Sequence, residues 1–196
     1  MMMTSTPDRI RQALQEGAEV RLRVASQCLD AIETAARTME RCLRSGGKLL
    51  FFGNGGSAAD AQHLAAEFTG RYLKERRGLP AIALHADTSA LTAIGNDYGF
   101  ERVFARQIEA LGREGDVAMA ITTSGRSPNI TAAVAACRAA RITTIGLSSA
   151  KGVEFAKSVD IPILVPSTST PRIQECHITI GHILCELVED ALFPTA

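Results

Sequence analysis

The chain has 196 residues, about the size of one domain, and its 21 Lys and Arg residues balance its 21 Asp and Glu residues. The zero net charge gives no electrostatic reason to expect a nucleic acid or an anionic membrane as partner. The chain has five cysteines and no CxxC pair, which argues against a disulfide scaffold or a thiolate zinc site. The N-terminus lacks the apolar core of a signal peptide, and no apolar run approaches the roughly 20 residues of a membrane span. These features predict a cytoplasmic protein.

The N-terminal arm, residues 1–45, is predicted to be helical from Pro7 to Ser45. This stretch has no further proline, its apolar residues recur at helical spacing, and Gly46 and Gly47 end it. A helical arm of this kind packs either on another subunit or on its own sheet, and the sequence leaves both open.

Five short apolar runs follow the arm, and helical stretches separate them. Runs that are apolar throughout are typical of parallel strands covered on both faces, and their alternation with helices predicts an α/β fold with a doubly wound five-stranded parallel sheet. Pro162 lies in the last run, which is therefore predicted to be an edge strand. Because no internal linker or repeat occurs, residues 1–196 are predicted to form a single domain. The predicted strands are 48–52, 80–84, 117–121, 143–147 and 161–165, and the predicted helices after the arm are 57–72, 88–111, 129–141 and 171–192.

Two loops follow predicted strands and precede predicted helices, at the edge of the sheet where open α/β proteins bind ligands. The first, Gly53–Ser57, has three glycines, which let the backbone approach a ligand closely. The second, Thr122–Asn129, offers four hydroxyls ahead of a helix start, where free N–H groups favour an anion. Either loop alone is equally well an ordinary turn with a helix cap, but two at one edge favour a phosphate ester. Neither a complete dinucleotide-binding fingerprint nor a P-loop motif occurs.

The helix after the first loop carries His63 and Glu67, which are four residues apart and therefore lie on one face. This spacing can offer two ligands to one metal ion, although HxxxE is also common by chance. Of the other histidines, His85 and His177 are expected to be hydrogen-bonded core or surface residues. His182, in the C-terminal helix, is the remaining candidate for the site.

Several uninterrupted stretches together resemble the SIS-domain phosphoheptose isomerases: GNGGSAADAQHLAAEFTGRY, TAIGNDYGFERVF, GREGDV, TTSGRSPN and RIQECH. The resemblance covers nearly the whole chain. It implies the SIS fold, which is flavodoxin-like or Rossmann-like. It also implies an aldose–ketose isomerase that converts D-sedoheptulose 7-phosphate to D-glycero-D-manno-heptose 7-phosphate, the first step of bacterial ADP- or GDP-heptose biosynthesis.

The same resemblance implies a homotetramer with active sites at subunit interfaces and one zinc ion per subunit. It implies that Glu67 is the general base and His182 the general acid. The implied zinc ligands are His63, Glu67, Gln174 and His182. The implied substrate contacts are Asn54, Gly55, Gly56, Glu67, Asn96, Asp97, Thr122, Thr123, Ser124, Ser127 and Gln174.

Two features of the implied zinc site are in conflict, one with the chemical roles of its residues and one with helix geometry. Glu67 and His182 cannot be tight zinc ligands and free acid–base groups at the same time. Gln174 and His182 are eight residues apart, which corresponds to about 12 Å along a regular helix. Gln174 is therefore expected at a frayed helix start, or else the two residues come from different subunits.

Three alternatives stay open at this point. One branch of the family is a non-enzymatic SIS tetramer that binds the replication-initiator protein, but it lacks the residues corresponding to Glu67 and His182. A SIS sensor domain for sugar phosphates usually accompanies a helix-turn-helix domain, for which this chain has no room. The third alternative is isomerisation of a different sugar phosphate.

Overall fold

The computed structural model describes residues 5–194, and the rest of the predicted 1–196 domain lies outside the described residues. Two N-terminal helices precede alternating strands and helices. The helices are α1 Thr6–Gln27, α2 Leu29–Arg44, α3 Gly56–Thr69, α4 Thr88–Tyr98, α5 Ala105–Leu111, α6 Pro128–Ala139, α7 Val153–Ala156 and α8 Thr170–Leu192, with a 3₁₀ turn at Phe100–Arg102. The strands are β1 Leu49–Gly53, β2 Ala81–Ala83, β3 Val117–Ile121, β4 Thr143–Ser149 and β5 Ile161–Val165.

The five strands form one sheet in the order β2-β1-β3-β4-β5, and all neighbouring pairs are parallel. This order confirms the predicted doubly wound α/β architecture. It also confirms that Pro162 lies in an edge strand, β5. Strand β2 lies on one side of β1, and β3 lies on the other, so the chain leaves β1 and β3 in opposite directions. Open α/β sheets bind ligands in the crevice at such a reversal point.

Helices cover both faces of the sheet, which explains why the strand sequences are apolar throughout. Leu49 and Phe51 of β1 belong to the core that the sheet shares with α1, α2, α3 and α8. Leu50 and Phe52 belong to the core on the opposite face, with α5 and α6. Successive residues of a strand point to opposite faces, so β1 contributes to both cores.

The N-terminal arm is two helices, and the prediction of one continuous helix was wrong. Cys28 ends α1 and precedes α2 with φ −118° and ψ 1°, and its thiol donates to the Leu164 carbonyl at 3.4 Å. This contact with β5 is tertiary, so no local signal marked the break. Ile10, Leu14 and Leu22 of α1 are 58%, 70% and 71% exposed, so α1 leaves much of its apolar surface uncovered by its own chain.

The helix predicted over 88–111 is also interrupted. Gly99 has φ +85°, a conformation that favours glycine, and separates α4 from the 3₁₀ turn and α5. The short helix α7 was not predicted, because four residues are too few to show a period.

Within residues 5–194, no helix is both long and apolar enough to cross a membrane.

Candidate active site

The first predicted anion loop makes a close turn at the carboxyl edge of the sheet. Gly53 and Ile121, the last residues of β1 and β3, pair in the register. A Cβ on Gly53 would come within 2.7 Å of the Ser57 carbonyl and 2.9 Å of the Ile121 carbonyl, so the turn requires glycine. Gly55 follows with φ +58°, in the left-handed region. The start of α3 at Gly56 is thereby placed next to the loop that follows β3.

Asn54 and Asn129 tie the two loops together. Each side-chain amide donates to the other's side-chain oxygen at 2.9 Å. Asn129 is 3% exposed and lies at the second position of α6. Asn54, which was predicted to contact substrate, also makes this loop-to-loop contact with its side chain. Asn129 was not predicted as a site residue, because only the fold brings it to Asn54, 75 positions away.

The hydroxyl-rich loop after β3 is shaped by its own hydrogen bonds. Thr122 Oγ1 accepts from the Gly125 amide at 3.1 Å, and Ser124 Oγ accepts from the Arg126 amide at 3.3 Å. Both oxygens act as acceptors, so their hydroxyl protons can still be donated to a ligand. Ser127 precedes α6 and makes no side-chain capping bond in the described structure, so its hydroxyl is free to do the same.

A polar pocket of about 80 Å³ lies between these loops and α8. Hydroxyl and amide groups dominate its lining, and such donors suit a phosphate ester. A larger and mainly apolar groove of about 470 Å³ lies between α4 and α5, and it contains none of the predicted site residues. The polar pocket is therefore the candidate anion site. Its lining residues are Asn54, Ser57, Ile121, Thr122, Thr123, Ser124, Ser127 and Gln174.

Helices α3 and α8 bring His63 and His182 of one chain together. Their Nε2 atoms are 2.9 Å apart, and the ring centroids are 5.1 Å apart in an edge-to-face arrangement. The helices approach closely because Gly181 has no side chain, since a Cβ there would lie 2.6 Å from Leu64 Cδ2. His182 therefore comes from the same chain as His63, a point that the sequence left open.

Two carboxyl groups accompany the histidine pair. Glu67 Oε1 is 3.4 Å from His63 Nε2, and Asp60 lies one turn before His63 on the same face of α3. Asp60 Oδ2 is buried and has no hydrogen-bond partner among residues 5–194. Burial raises the pKa of Asp60, and nearby His63 and His182 act against this rise. Asp60 was not predicted, because its proximity to His182 depends on how α8 packs.

Gln174 lines the polar pocket, and its amide lies against Gly56, where a Cβ would overlap it. The predicted frayed start at Gln174 was wrong. Helix α8 begins at Thr170, with Ser169 at the N-cap and a proline in the first turn, so Gln174 lies in regular helix. Gln174 and His182 of one chain are therefore about 12 Å apart along the axis of α8, as in a regular helix.

Asn96 and Asp97 lie at the exposed end of α4. Asn96 Nδ2 donates to Asp97 Oδ1 at 2.8 Å. In the part of the chain that the structure describes, no hydrogen bond or ion pair joins either residue to the other predicted site residues. Within one chain, these two residues are not brought into the site.

The predicted metal site is only partly assembled in one chain. Two ligands of a tetrahedral zinc ion lie about 3.3 Å apart. The His63–His182 and His63–Glu67 separations of 2.9 and 3.4 Å are close to this value. Across the described residues, however, no three His, Cys, Asp or Glu side chains form a group that could hold a metal ion. The distances between His63, Glu67 and His182 are therefore suitable for zinc ligands. A complete zinc site would require these side chains to adjust and a further ligand to join them.

The two remaining histidines are core residues, as predicted. His177 is fully buried with Nε2 2.9 Å from the Ser148 carbonyl, and burial lowers its pKa to about 4. His85 is 9% exposed, its Nε2 contacts the Ala58 carbonyl, and burial lowers its pKa as well. Burial thus favours the neutral form of both rings, and among the histidines His63 and His182 remain as the acid–base candidates.

Known proteins resemble this chain over almost its whole length. The SIS domain family model matches residues 14–149. The phosphoheptose isomerase of Rhodospirillum rubrum is 54% identical over 185 residues, which cover 94% of this chain and 98% of the relative. The chain belongs to the phosphoheptose isomerase family. Solved phosphoheptose isomerases from Neisseria gonorrhoeae and Francisella tularensis have TM-scores of 0.90 and 0.92 at 42% and 37% identity, each over 95% of this chain and 100% of theirs.

The likeness to phosphoheptose isomerases includes the C-terminal helix. The SIS domain match ends at residue 149, before α8, which carries Gln174 and His182. The full-length likeness to the phosphoheptose isomerases extends across this helix. Both halves of the candidate site, the anion loops and the α3–α8 pair, therefore lie within the region shared with that family.

Proposed function

We propose that this protein is an aldose–ketose isomerase that interconverts D-sedoheptulose 7-phosphate and D-glycero-D-manno-heptose 7-phosphate, the first step of bacterial heptose-nucleotide synthesis. One observation carries the proposal. Helix α3 begins at Gly56, its second residue Ser57 lines the polar pocket, and it carries His63 and Glu67 about 10 and 16 Å beyond its start. A sugar 7-phosphate has its phosphate and its reacting carbons at opposite ends, so one molecule lying along α3 reaches both the pocket and the acid–base group.

Proton transfer is assigned to Glu67 and His182. Ketose–aldose interconversion moves a proton between neighbouring carbons through an enediol, which requires a base and a positioned acid. Glu67 takes the carbon-bound proton, and His182 supplies a proton on the opposite side of the enediol. His63 lies between them, 3.4 Å from the Glu67 carboxylate and 2.9 Å from His182, and so fixes their relative position.

Zinc, one ion per subunit, is part of the proposal. His63, Glu67 and His182 of one chain would hold it, and the neutral amide of a Gln174 supplied by a neighbouring subunit would be a weak fourth ligand, because Gln174 and His182 of the same chain are about 12 Å apart along α8. A divalent ion bound there would polarise the sugar carbonyl. Glu67 and His182 cannot bind zinc tightly and exchange protons at the same time, so the ion would either be bound loosely by these residues or serve a partly structural role.

Incubation of pure protein with D-sedoheptulose 7-phosphate tests the proposed function. We expect the aldose heptose 7-phosphate to appear in the NMR spectrum of the mixture. Fructose 6-phosphate, a ketose phosphate with one carbon fewer, is the control for a different substrate and should react much more slowly. If zinc-supplemented protein forms no heptose product, the proposed function is wrong.

The metal site is tested with a His63→Ala variant. Protein purified without chelator should contain about one divalent ion per chain, and the variant should lose most of it because a ring nitrogen ligand is missing. Elemental analysis measures both. Glu33→Ala, which removes an exposed carboxylate on α2, is the control and should keep its metal. Full metal content in His63→Ala would exclude this residue as a ligand.

The phosphate pocket is tested with a Ser124→Ala variant. Losing one hydrogen bond to a charged group costs roughly 1.5–3 kcal/mol, so KM for the sugar phosphate should rise about tenfold or more. Steady-state kinetics give the value. Ser158→Ala is the control, since this hydroxyl donates to the Phe155 carbonyl at 2.6 Å outside the pocket. An unchanged KM for Ser124→Ala would mean that the phosphate binds elsewhere.

A homotetramer with active sites at subunit interfaces is the proposed assembly. The uncovered apolar residues of α1 and the exposed pair Asn96 and Asp97 support it, because a neighbouring subunit would cover the first and receive the second in its site. Light scattering should give about four times the chain mass of 20.9 kDa. A fully active monomer would rule out shared sites.

We place the protein in the cytoplasm and propose no nucleic acid or membrane partner. All five cysteines are free and buried. Burial raises the pKa of Cys137 and of Cys185 to about 12, so these thiols stay protonated and inert. Free thiols of this kind are usual in a reducing compartment.

A further inference from the structure

A buried ion pair joins the end of α3 to α8. Arg76 lies in the connection from α3 to β2, and Glu189 lies in the last turns of α8. Arg76 Nε and Glu189 Oε1 are 2.9 Å apart, and each side chain is only 2% exposed. Burying two charges is costly unless further hydrogen bonds satisfy both groups. Both groups are satisfied here, and their partners lie next to the acid–base residues.

The Glu189 carboxylate binds three successive backbone amides. Oε1 accepts from Tyr72 N at 3.1 Å and from the Arg76 guanidinium, and Oε2 accepts from Leu73 N and Lys74 N at 2.8 Å each. Burial acts to raise the pKa of Glu189, but these hydrogen bonds outweigh it and lower the pKa. The carboxylate therefore stays charged and holds residues 72–74 on α8.

The Arg76 guanidinium binds the carbonyls at the end of α3. Nη2 donates to the Glu67 carbonyl at 2.9 Å, and Nη1 donates to the Phe68 and Gly70 carbonyls at 3.0 Å. The last carbonyls of a helix lack partners within the helix, and a cation there is favourable. The backbone of the proposed base, Glu67, is thus fixed by the same arginine that pairs with α8.

Tyr72 connects this ion pair to His182. The two rings lie with centroids 5.8 Å apart and an interplanar angle of 31°. Because Glu189 binds the Tyr72 amide, it also keeps this ring against His182. Both proposed proton-transfer residues therefore have a direct structural link to the Arg76–Glu189 pair.

We propose that Arg76 and Glu189 are positioning residues that set the placement of Glu67 relative to His182. Neither touches the polar pocket, and the inference rests on the roles proposed for Glu67 and His182. A purely structural ion pair would affect stability alone. A positioning pair affects kcat and leaves KM for the phosphate ester nearly unchanged, because the pocket lies at the opposite end of α3.

The first test is Glu189→Gln. It replaces one carboxylate oxygen with an NH₂ group that faces N–H donors, which loosens the loop. We expect kcat to fall about tenfold or more, since small misplacements of reacting groups are costly, and KM to stay within about twofold. Arg76→Lys keeps the charge but lacks the planar fork that reaches the α3 carbonyls, so it should lower kcat as well.

Val188→Ala is the matched control. Val188 neighbours Glu189 on α8, is fully buried, and makes no hydrogen bond with residues 72–76, so its truncation should lower the melting temperature and leave kcat within about twofold. All variants are assayed well below their melting temperatures. If Glu189→Gln loses no more kcat than Val188→Ala, the pair is structural and the proposal is wrong.

Hydrogen exchange of the amides of residues 72–74 needs no substrate and so separates this proposal from the proposed function. These amides should be protected in the parent protein and exchange faster in Glu189→Gln, with Val188→Ala resembling the parent. Unchanged protection in Glu189→Gln would overturn the proposal, because Glu189 would then not hold the loop. If the parent forms no heptose product, the proposed function fails, while exchange still reports on the Arg76–Glu189 pair.

Discussion

Glu67→Gln is expected to lower kcat by about 10²–10⁴-fold, the contribution typical of a proton-transfer group. The change keeps size and hydrogen bonding but removes the basic carboxylate. Glu67 Oε1 lies 3.4 Å from His63 Nε2, and His63 contacts His182. Because glutamine has the same shape as glutamate, we expect the variant to keep the arrangement of these three side chains. Steady-state kinetics with the metal content checked give the ratio. KM should change little, because the phosphate pocket is untouched.

His182→Gln is the companion variant, and it should lower kcat in the same range. Metal analysis of both variants separates loss of a ligand from loss of proton transfer. If metal-replete Glu67→Gln turns over at the parent rate, Glu67 is not the base. Asp97 would then be the next candidate.

Gly181→Ala is the second substitution with a large expected effect. The new methyl would lie 2.6 and 2.8 Å from the two Leu64 methyls, and because Leu64 is buried with little room to move, we expect α3 and α8 to separate. Alanine is favoured over glycine in a helix by about 1 kcal/mol, and overpacking costs about 1–3 kcal/mol, so stability changes modestly. The His63–His182 contact next to this crossing is lost, and kcat should fall about 10–100-fold.

A double variant separates crowding from other effects of Gly181→Ala. Leu64→Ala alone leaves a cavity and should cost about 2–5 kcal/mol. Combined with Gly181→Ala, it makes room for the added methyl, so kcat should recover relative to Gly181→Ala alone. Parental kcat in the single Gly181→Ala variant would show that the close helix crossing does not set the site.

Much of the fold could be predicted because its signals are local. The strand runs are apolar on both faces, and Pro162 marks an edge strand by lacking a backbone donor. The breaks at Cys28 and Gly99 were missed for different reasons. Cys28, where α1 ends, contacts Leu164 of β5 far along the chain, whereas Gly99 breaks the helix by adopting a positive φ, which the sequence alone did not require.

The site was predictable where one segment carries it. The glycine loop, the hydroxyl loop and the His63–Glu67 spacing are all visible in short stretches of sequence. Asn129 and Asp60 were missed, because their importance depends on partners far along the chain. The resemblance named the C-terminal helix residues but could not place them, and the packing of α3 on α8 puts His182 beside His63.

The reaction in D₂O tests proton transfer through an enediol most directly. In the proposed mechanism Glu67 takes the carbon-bound proton and His182 supplies another, and the Glu67 side chain is also 22% exposed, so the transferred hydrogen is replaced by one from solvent. Starting from D-sedoheptulose 7-phosphate, the account predicts deuterium at C2 of the heptose 7-phosphate formed by the parent protein, and almost none in the same time with Glu67→Gln. Rapid formation of heptose 7-phosphate without deuterium at C2 would contradict the account, because the hydrogen would then have moved directly between the two carbons.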